Sequence, residues 1–252
     1  RRFSRVEDGV RTINMFGVRV GSYGPIWSAL AELARAPGAA RERVVQRRGG
    51  EAARTVFSLA PRLWPALGAA LRTGDYAAAL EIGVSTGLPR LVARACPTVR
   101  VGGIDRSESA LARAAELAAV ADASWIHGDF FAPELWPALD APRGLFYTVH
   151  LHELLARGVE PTCTALAAIR ARFPGWDLLA FEQPRLAASD RGRVSRVEWL
   201  YAQSNVLIHH VIGNGIVARH DEWIELFERA GYRVHAAADT DYLGYRAYRV
   251  GA

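Results

Sequence analysis

The stretch from Ala78 to Asp105 constrains the fold of this chain more than any other. An apolar run, 77–82, reads as a buried strand, and Gly83 and Gly87 bracket a tight turn after it. Residues 88–95 then read as a helix, and a second apolar strand, 99–104, delivers Asp105. Glycine suits that turn because the backbone reverses sharply and a ligand can approach where no Cβ intervenes. Asp105 stands about 20 residues past the glycines, where strand–turn–helix–strand units that bind nucleotides keep the acid that meets a ribose.

From Ala78 onward strands and helices alternate, which predicts a mostly parallel sheet covered on both faces. Further strands are expected at 124–127, 144–149 and 177–182, with helices after Ser107 and over 161–173 and a helical stretch over 193–211. Asp221 is expected to cap a helix stopped by Gly231. Residues 232–237 and 242–250 alternate like a closing antiparallel pair. The fold class is therefore α/β, with about seven strands, mostly parallel, and an antiparallel edge pair.

Residues 1–74 are expected to form a helical cap or lid, and 75–252 one α/β domain with a helical insertion near 185–218. In the cap, Pro25 opens a helix, Val18 to Val20 form a short strand or part of a flap, and 51–72 break at Pro61 and Pro65 into short helices. Gly49-Gly50 is the hinge candidate.

Glu81-x-Gly83-x-Ser85-x-Gly87 resembles the first motif of the class I S-adenosylmethionine (SAM) dependent methyltransferases, E/D-x-G-x-G-x-G, with Ser85 at its middle glycine. Gly103-Ile104-Asp105 and Gly128-Asp129-Phe130-Phe131 resemble the next motifs in order. The resemblance covers roughly residue 67 onward and implies a Rossmann-like sheet and SAM as cofactor. It places Gly83, Ser85 and Gly87 against the methionine portion, with Glu81 orienting the loop or meeting the amino group. Asp105 would accept from the ribose hydroxyls and Asp129 from the adenine amine. Both acids close strands, where open α/β sheets bind ligands, although each also suits a helix cap. Phe130 lies beside the adenine or packs in the core.

His150-Leu151-His152-Glu153-Leu154 follows the fourth strand of the domain. It is similar to the His-Asp-Trp of small-molecule O-methyltransferases, whose His takes the acceptor's hydroxyl proton. His152 is the candidate base, Glu153 its companion and His150, two residues away on the same side of an extended chain, the backup. A polar histidine held at a helix start is the plainer reading. A second arrangement joins His152 and Glu153 with His209 or His210 around a divalent metal, as in enzymes that methylate the β-carbon of α-keto acids. Arg185, Arg191 or Arg193 would then meet a substrate carboxylate.

All 31 basic residues are Arg, and the formal net charge is +5. The arginines are interleaved with acids, without a long basic block, which argues against a nucleic-acid partner. No apolar run approaches the ~20 residues that span a bilayer. With only Cys96 and Cys163, no disulfide framework is expected, and the compartment is read as cytoplasmic. The chain begins without Met, and a start upstream is expected. The partners expected are a small-molecule acceptor and a second copy in a homodimer. The Ala- and Arg-rich composition points to a GC-rich bacterial genome, and the setting expected is bacterial specialised metabolism. A nucleic-acid methyltransferase and a non-catalytic SAM-fold partner protein are the rival readings.

Overall fold

The computed structural model describes residues 4–7, 10–15, 18–20, 60–84, 87–120, 123–149, 151–196, 199, 202–203, 206, 217–240 and 244–251. Seven strands form one sheet: β4 (Ala78–Ile82), β5 (Arg100–Asp105), β6 (Ser124–His127), β7 (Gly144–Val149), β8 (Trp176–Glu182), β9 (Arg233–Asp239) and β10 (Arg246–Gly251). Their order is β6-β5-β4-β7-β8-β10-β9. Pairing is parallel from β6 through β8, and β10 runs antiparallel to both β8 and β9. The closing pair is therefore present, with the later strand inserted between β8 and the edge strand β9.

The central strands carry no polar side because both faces are covered. Every residue of β4 and β7 is buried. Alternate residues serve two cores, as the two-residue period of a strand requires. Ala78, Leu80, Ile82, Phe146, Leu178 and Ala180 face α4 (Val159–Arg172) and α5 (His220–Arg229), meeting Leu166, Ile169, Trp223 and Phe227. Ala79, Leu145, Tyr147, Leu179 and Phe181 face α1 (Ala60–Gly74) and α2 (Leu88–Ala95), meeting Leu63, Leu67, Leu71 and Val92. The fifth helix, α3 (Glu108–Ala118), follows β5 and starts with the Ser107 hydroxyl accepting from the Ala110 N–H.

The structure corrects two details of the sequence reading. Helix α1 continues through Pro65 instead of breaking there. Pro61 lies in the first turn, where an N–H has no helical partner, so the missing N–H of Pro65 costs a single bond back to residue 61. Burial of Leu63, Leu67, Ala70 and Leu71 along one side outweighs that loss. Helix α5 begins at His220 with Arg219 as its cap, not Asp221. Glu222 reaches back to accept the Arg219 N–H at 2.6 Å, and Asp221 pairs with the Arg219 guanidinium at 3.1 Å.

In the N-terminal region the first described residues are strands. β1 (Ser4–Glu7), β2 (Val10–Met15) and β3 (Val18–Val20) form an antiparallel meander, with Val18–Val20 in the position read from the sequence. The helix from Pro25 and the Gly49-Gly50 hinge lie outside the described residues. Of the helical stretch over 193–211, Arg196, Trp199, Ala202, Gln203 and Val206 are helical.

The foot of the sheet is tied by a polar cluster. Tyr76 donates its hydroxyl to Asp177, and Arg249 reaches Tyr76 at 3.0 Å, Asp177 at 3.3 Å and Thr73 at 2.9 Å. Asp177→Asn is expected to lower the unfolding free energy by about 1–2 kcal/mol, read from urea titration, because two partly buried donors lose a charged acceptor.

Candidate active site

The carboxyl ends of β4, β5, β7 and β8 stand side by side, about 4.8 Å apart per strand. Gly83 leaves β4 at φ 75°, its N–H donating to the Ile104 carbonyl at 2.8 Å. Among the described residues, a Cβ built on Gly83 would meet nothing within 4 Å, while its backbone is held in a conformation that side chains disfavour. Gly87, at φ 72°, opens α2. Glu81 is buried, one residue before the end of β4 and opposite Tyr147 on β7. Ser85 lies outside the described residues.

Asp105 tips β5 beside this turn. Its Oδ1 accepts the Ser107 N–H at 2.8 Å. Burial raises its carboxyl above the ordinary value, opposed by the backbone N–H groups of Ser107, Val84 and Arg106 and by the Arg106 charge. The cap of α3 is Ser107, not Asp105; the Asp105 carboxylate instead holds the N–H of that cap residue and braces the glycine turn through the Val84 N–H.

Beyond β6, Asp129 is held from two sides. Its Oδ1 accepts the Phe131 N–H at 3.0 Å, and its carbonyl accepts the Trp136 indole N–H at 2.9 Å. Phe130 is buried in the core and meets Phe131 edge to face, at 5.2 Å and 83°. The half-buried ring here is Phe131, which carries the Arg157 guanidinium 4.4 Å from its centre. Arg157 also stands 3.6 Å from Asp129.

His152 lies in a 3-10 turn, Leu151–Arg157, that leaves β7. Its ring is fully buried, with Nδ1 2.7 Å from Glu182 Oε2 at the end of β8. The His152 backbone N–H donates to Oε1 of the same carboxylate at 3.3 Å, and the Leu151 N–H supports it as well. Burial alone drives the imidazole down to about 3 and the Glu182 carboxyl well above its ordinary value. Each shift says that an isolated charge is unwelcome at this depth.

Sequence reading missed Glu182. Its one signal is an acid closing the apolar run 178–181 at the carboxyl edge of a strand. The companion expected from the sequence, Glu153, is exposed, and the carboxylate brought to His152 is that of Glu182. His150, His209 and His210 lie outside the described residues, and among those described no three His, Cys, Asp or Glu groups gather closely enough to hold a metal. Arg185 pairs with Glu222 on α5 at 3.3 Å and Arg193 with Asp190 at 4.0 Å, while Arg191 is exposed. No described helix is long and apolar enough to cross a membrane.

Strand order, glycine turn and the acid tipping β5 define a Rossmann-like fold of the kind seen in class I SAM-dependent methyltransferases. No family model matches the chain, and no curated protein matches it. Among solved structures it is similar to human N-acetylserotonin methyltransferase in complex with SAM, at 20% identity and a TM-score of 0.61, over 90% of this chain and 67% of that one. It is similar to CalO1, a methyltransferase in calicheamicin biosynthesis solved with SAH, at 17% identity and 0.61, over 99% and 80%. The pyocyanin biosynthetic protein PhzM aligns at 18% identity and 0.56; 87% of this chain spans 60% of that one. At these identities the likeness establishes the fold.

Proposed function

We propose that this chain transfers a methyl group from SAM to a hydroxyl oxygen of a small molecule, with His152 as the base and Glu182 as the group that holds it. The observation that carries this reading is the buried His152–Glu182 pair, 2.7 Å apart, at the same sheet edge as the Gly83 turn and Asp105. From the Asp105 strand to the Glu182 strand is three strand spacings, or about 14 Å. An elongated nucleoside with a reactive group at its far end fits that span.

The residues present suit an adenosyl ligand. Gly83 offers a backbone turn, Asp105 two oxygens for adjacent hydroxyls, and Asp129 a carboxylate at the rim. When bound, SAM supplies an electrophilic methyl group. The work left to the chain is alignment and removal of one proton. With Glu182 ionised, Nδ1–H donates to Oε2, which fixes the tautomer whose basic nitrogen is Nε2, the atom that takes the acceptor's proton in this reading. As Nε2 takes the proton, imidazolium and carboxylate neutralise each other, which offsets the cost of charging a buried ring.

His152 is fully buried, which favours an acceptor small enough to be enclosed over a polymer. PhzM and CalO1 are named for biosynthesis, which supports a biosynthetic role here. Incubation with SAM and a panel of phenols and other hydroxylated compounds tests the reading. SAH is expected to form only when an acceptor is present, and no binding of SAM or SAH at millimolar concentration would sink it. Gly83→Ala, which combines a left-handed backbone with a methyl group in the turn, is expected to weaken SAH binding about tenfold by calorimetry.

A further inference from the structure

The turn that begins with His152 at one end finishes with Arg157 at the other, five residues and about 10 Å along a 3-10 axis. Gly158, at φ 104°, then redirects the chain into α4. Arg157 leans back over the loop after β6, where its guanidinium covers Phe131 at 4.4 Å and faces Asp129 at 3.6 Å. β5 and β6 run side by side with Asp105 opposite His127. Asp129 therefore stands one strand across from the proposed ribose acid and two residues further along.

We propose that Arg157 is a binding residue for the nucleobase end of the ligand, forming with Phe131 a layered wall against which a planar base packs while Asp129 takes the base's exocyclic amine. This rests on the adenosyl reading above. A guanidinium is planar and weakly hydrated, and it stacks on aromatic faces in a way an ammonium does not. At 3.6 Å its approach to Asp129 is electrostatic and longer than a hydrogen bond. The hydrogen bond that Asp129 accepts among the described residues, from the Phe131 N–H, uses Oδ1, so a carboxylate with about four acceptor positions has capacity left for an amine. Both charged side chains remain solvent-accessible, 49% for Arg157 and 39% for Asp129, as the rim of a binding site requires. Arg157 and His152 share one seven-residue turn, so the same segment addresses both ends of the ligand.

Calorimetry of the full chain with SAH and with adenosine tests the assignment. Arg157→Met keeps an apolar stem over Phe131 but removes the planar cation, and is expected to weaken both ligands two- to tenfold. Arg157→Lys is expected to fall between that variant and the parent. Equal loss for SAH and adenosine places the effect at the nucleobase end. A loss for SAH that spares adenosine would overturn the assignment, as would unchanged affinity for both in Arg157→Met. S-inosylhomocysteine, with a carbonyl where adenine has its amine, is expected to bind at least tenfold more weakly than SAH, and Asp129→Asn to narrow that gap. Because the ion pair is exposed, the variants are expected to melt like the parent, which separates a binding effect from unfolding. If the parent bound SAH while the Arg157 variants bound it equally well, this proposal alone would fail; if the parent bound neither ligand, the methyl-transfer reading would fall first.

Discussion

His152→Ala is expected to lose turnover by about 10²–10⁴-fold while binding SAH within a few-fold of the parent. The split follows from position: His152 leaves β7, whereas Gly83 and Asp105, assigned to the adenosyl ligand, leave β4 and β5. Truncation also strips Glu182 of a partner in a fully buried site, so a stability cost of about 1–3 kcal/mol is expected alongside. His152→Gln, which can still donate to Glu182, separates the two effects by recovering stability without turnover. Full turnover in either variant, with folding shown by thermal melting, would mean that another group takes the proton.

The second large effect is a proton released when SAM binds. The His152–Glu182 pair carries one negative charge when Nε2 is ready, and none once it holds an additional proton. Burial favours the neutral form, which is why the Glu182 carboxyl is pushed well up. A sulfonium brought to the site favours the anionic form, as any opposite charge does. SAM binding therefore expels the proton over the pH range below the pair's raised pKa, and its affinity climbs with pH by up to about tenfold per unit. SAH, neutral at sulfur, is expected to show no such slope. Calorimetry in buffers of different ionisation enthalpy measures the proton count directly. Glu182→Gln is expected to abolish it, because an imidazole held near 3 by burial is already neutral throughout the neutral range. A slope shared by SAM and SAH, or one that survives Glu182→Gln, would refute this account. Charge is conserved across the cycle on this view: cation plus anionic pair become neutral sulfide plus neutral pair.

Much of this architecture could be read from residue patterns because strand–helix alternation and glycine placement are local signals. Gly83, Gly87 and Asp105 lie where the spacing put them, and the buried runs 78–82 and 144–149 are strands. Contacts between residues far apart in sequence were not legible. Glu182 meets His152 across thirty positions, and nothing in the run 178–181 announces its partner. The sequence favoured Glu153 because it is adjacent, but in this turn neighbouring side chains point in different directions, and Glu153 faces solvent. Pro65 misled for a related reason: its cost is local and visible, whereas the burial that outweighs it depends on a sheet assembled later in the chain.

The insertion of β10 between β8 and β9 has a consequence for how the protein is made. The ribosome delivers β8 well before the strand that seals it, so Glu182 waits at an open edge until β10 emerges. A nascent chain stalled before Arg246–Gly251 would present that edge to other chains, chaperones and proteases. The pair on which the chemistry depends is thus locked in place only once β10 has been added beside it.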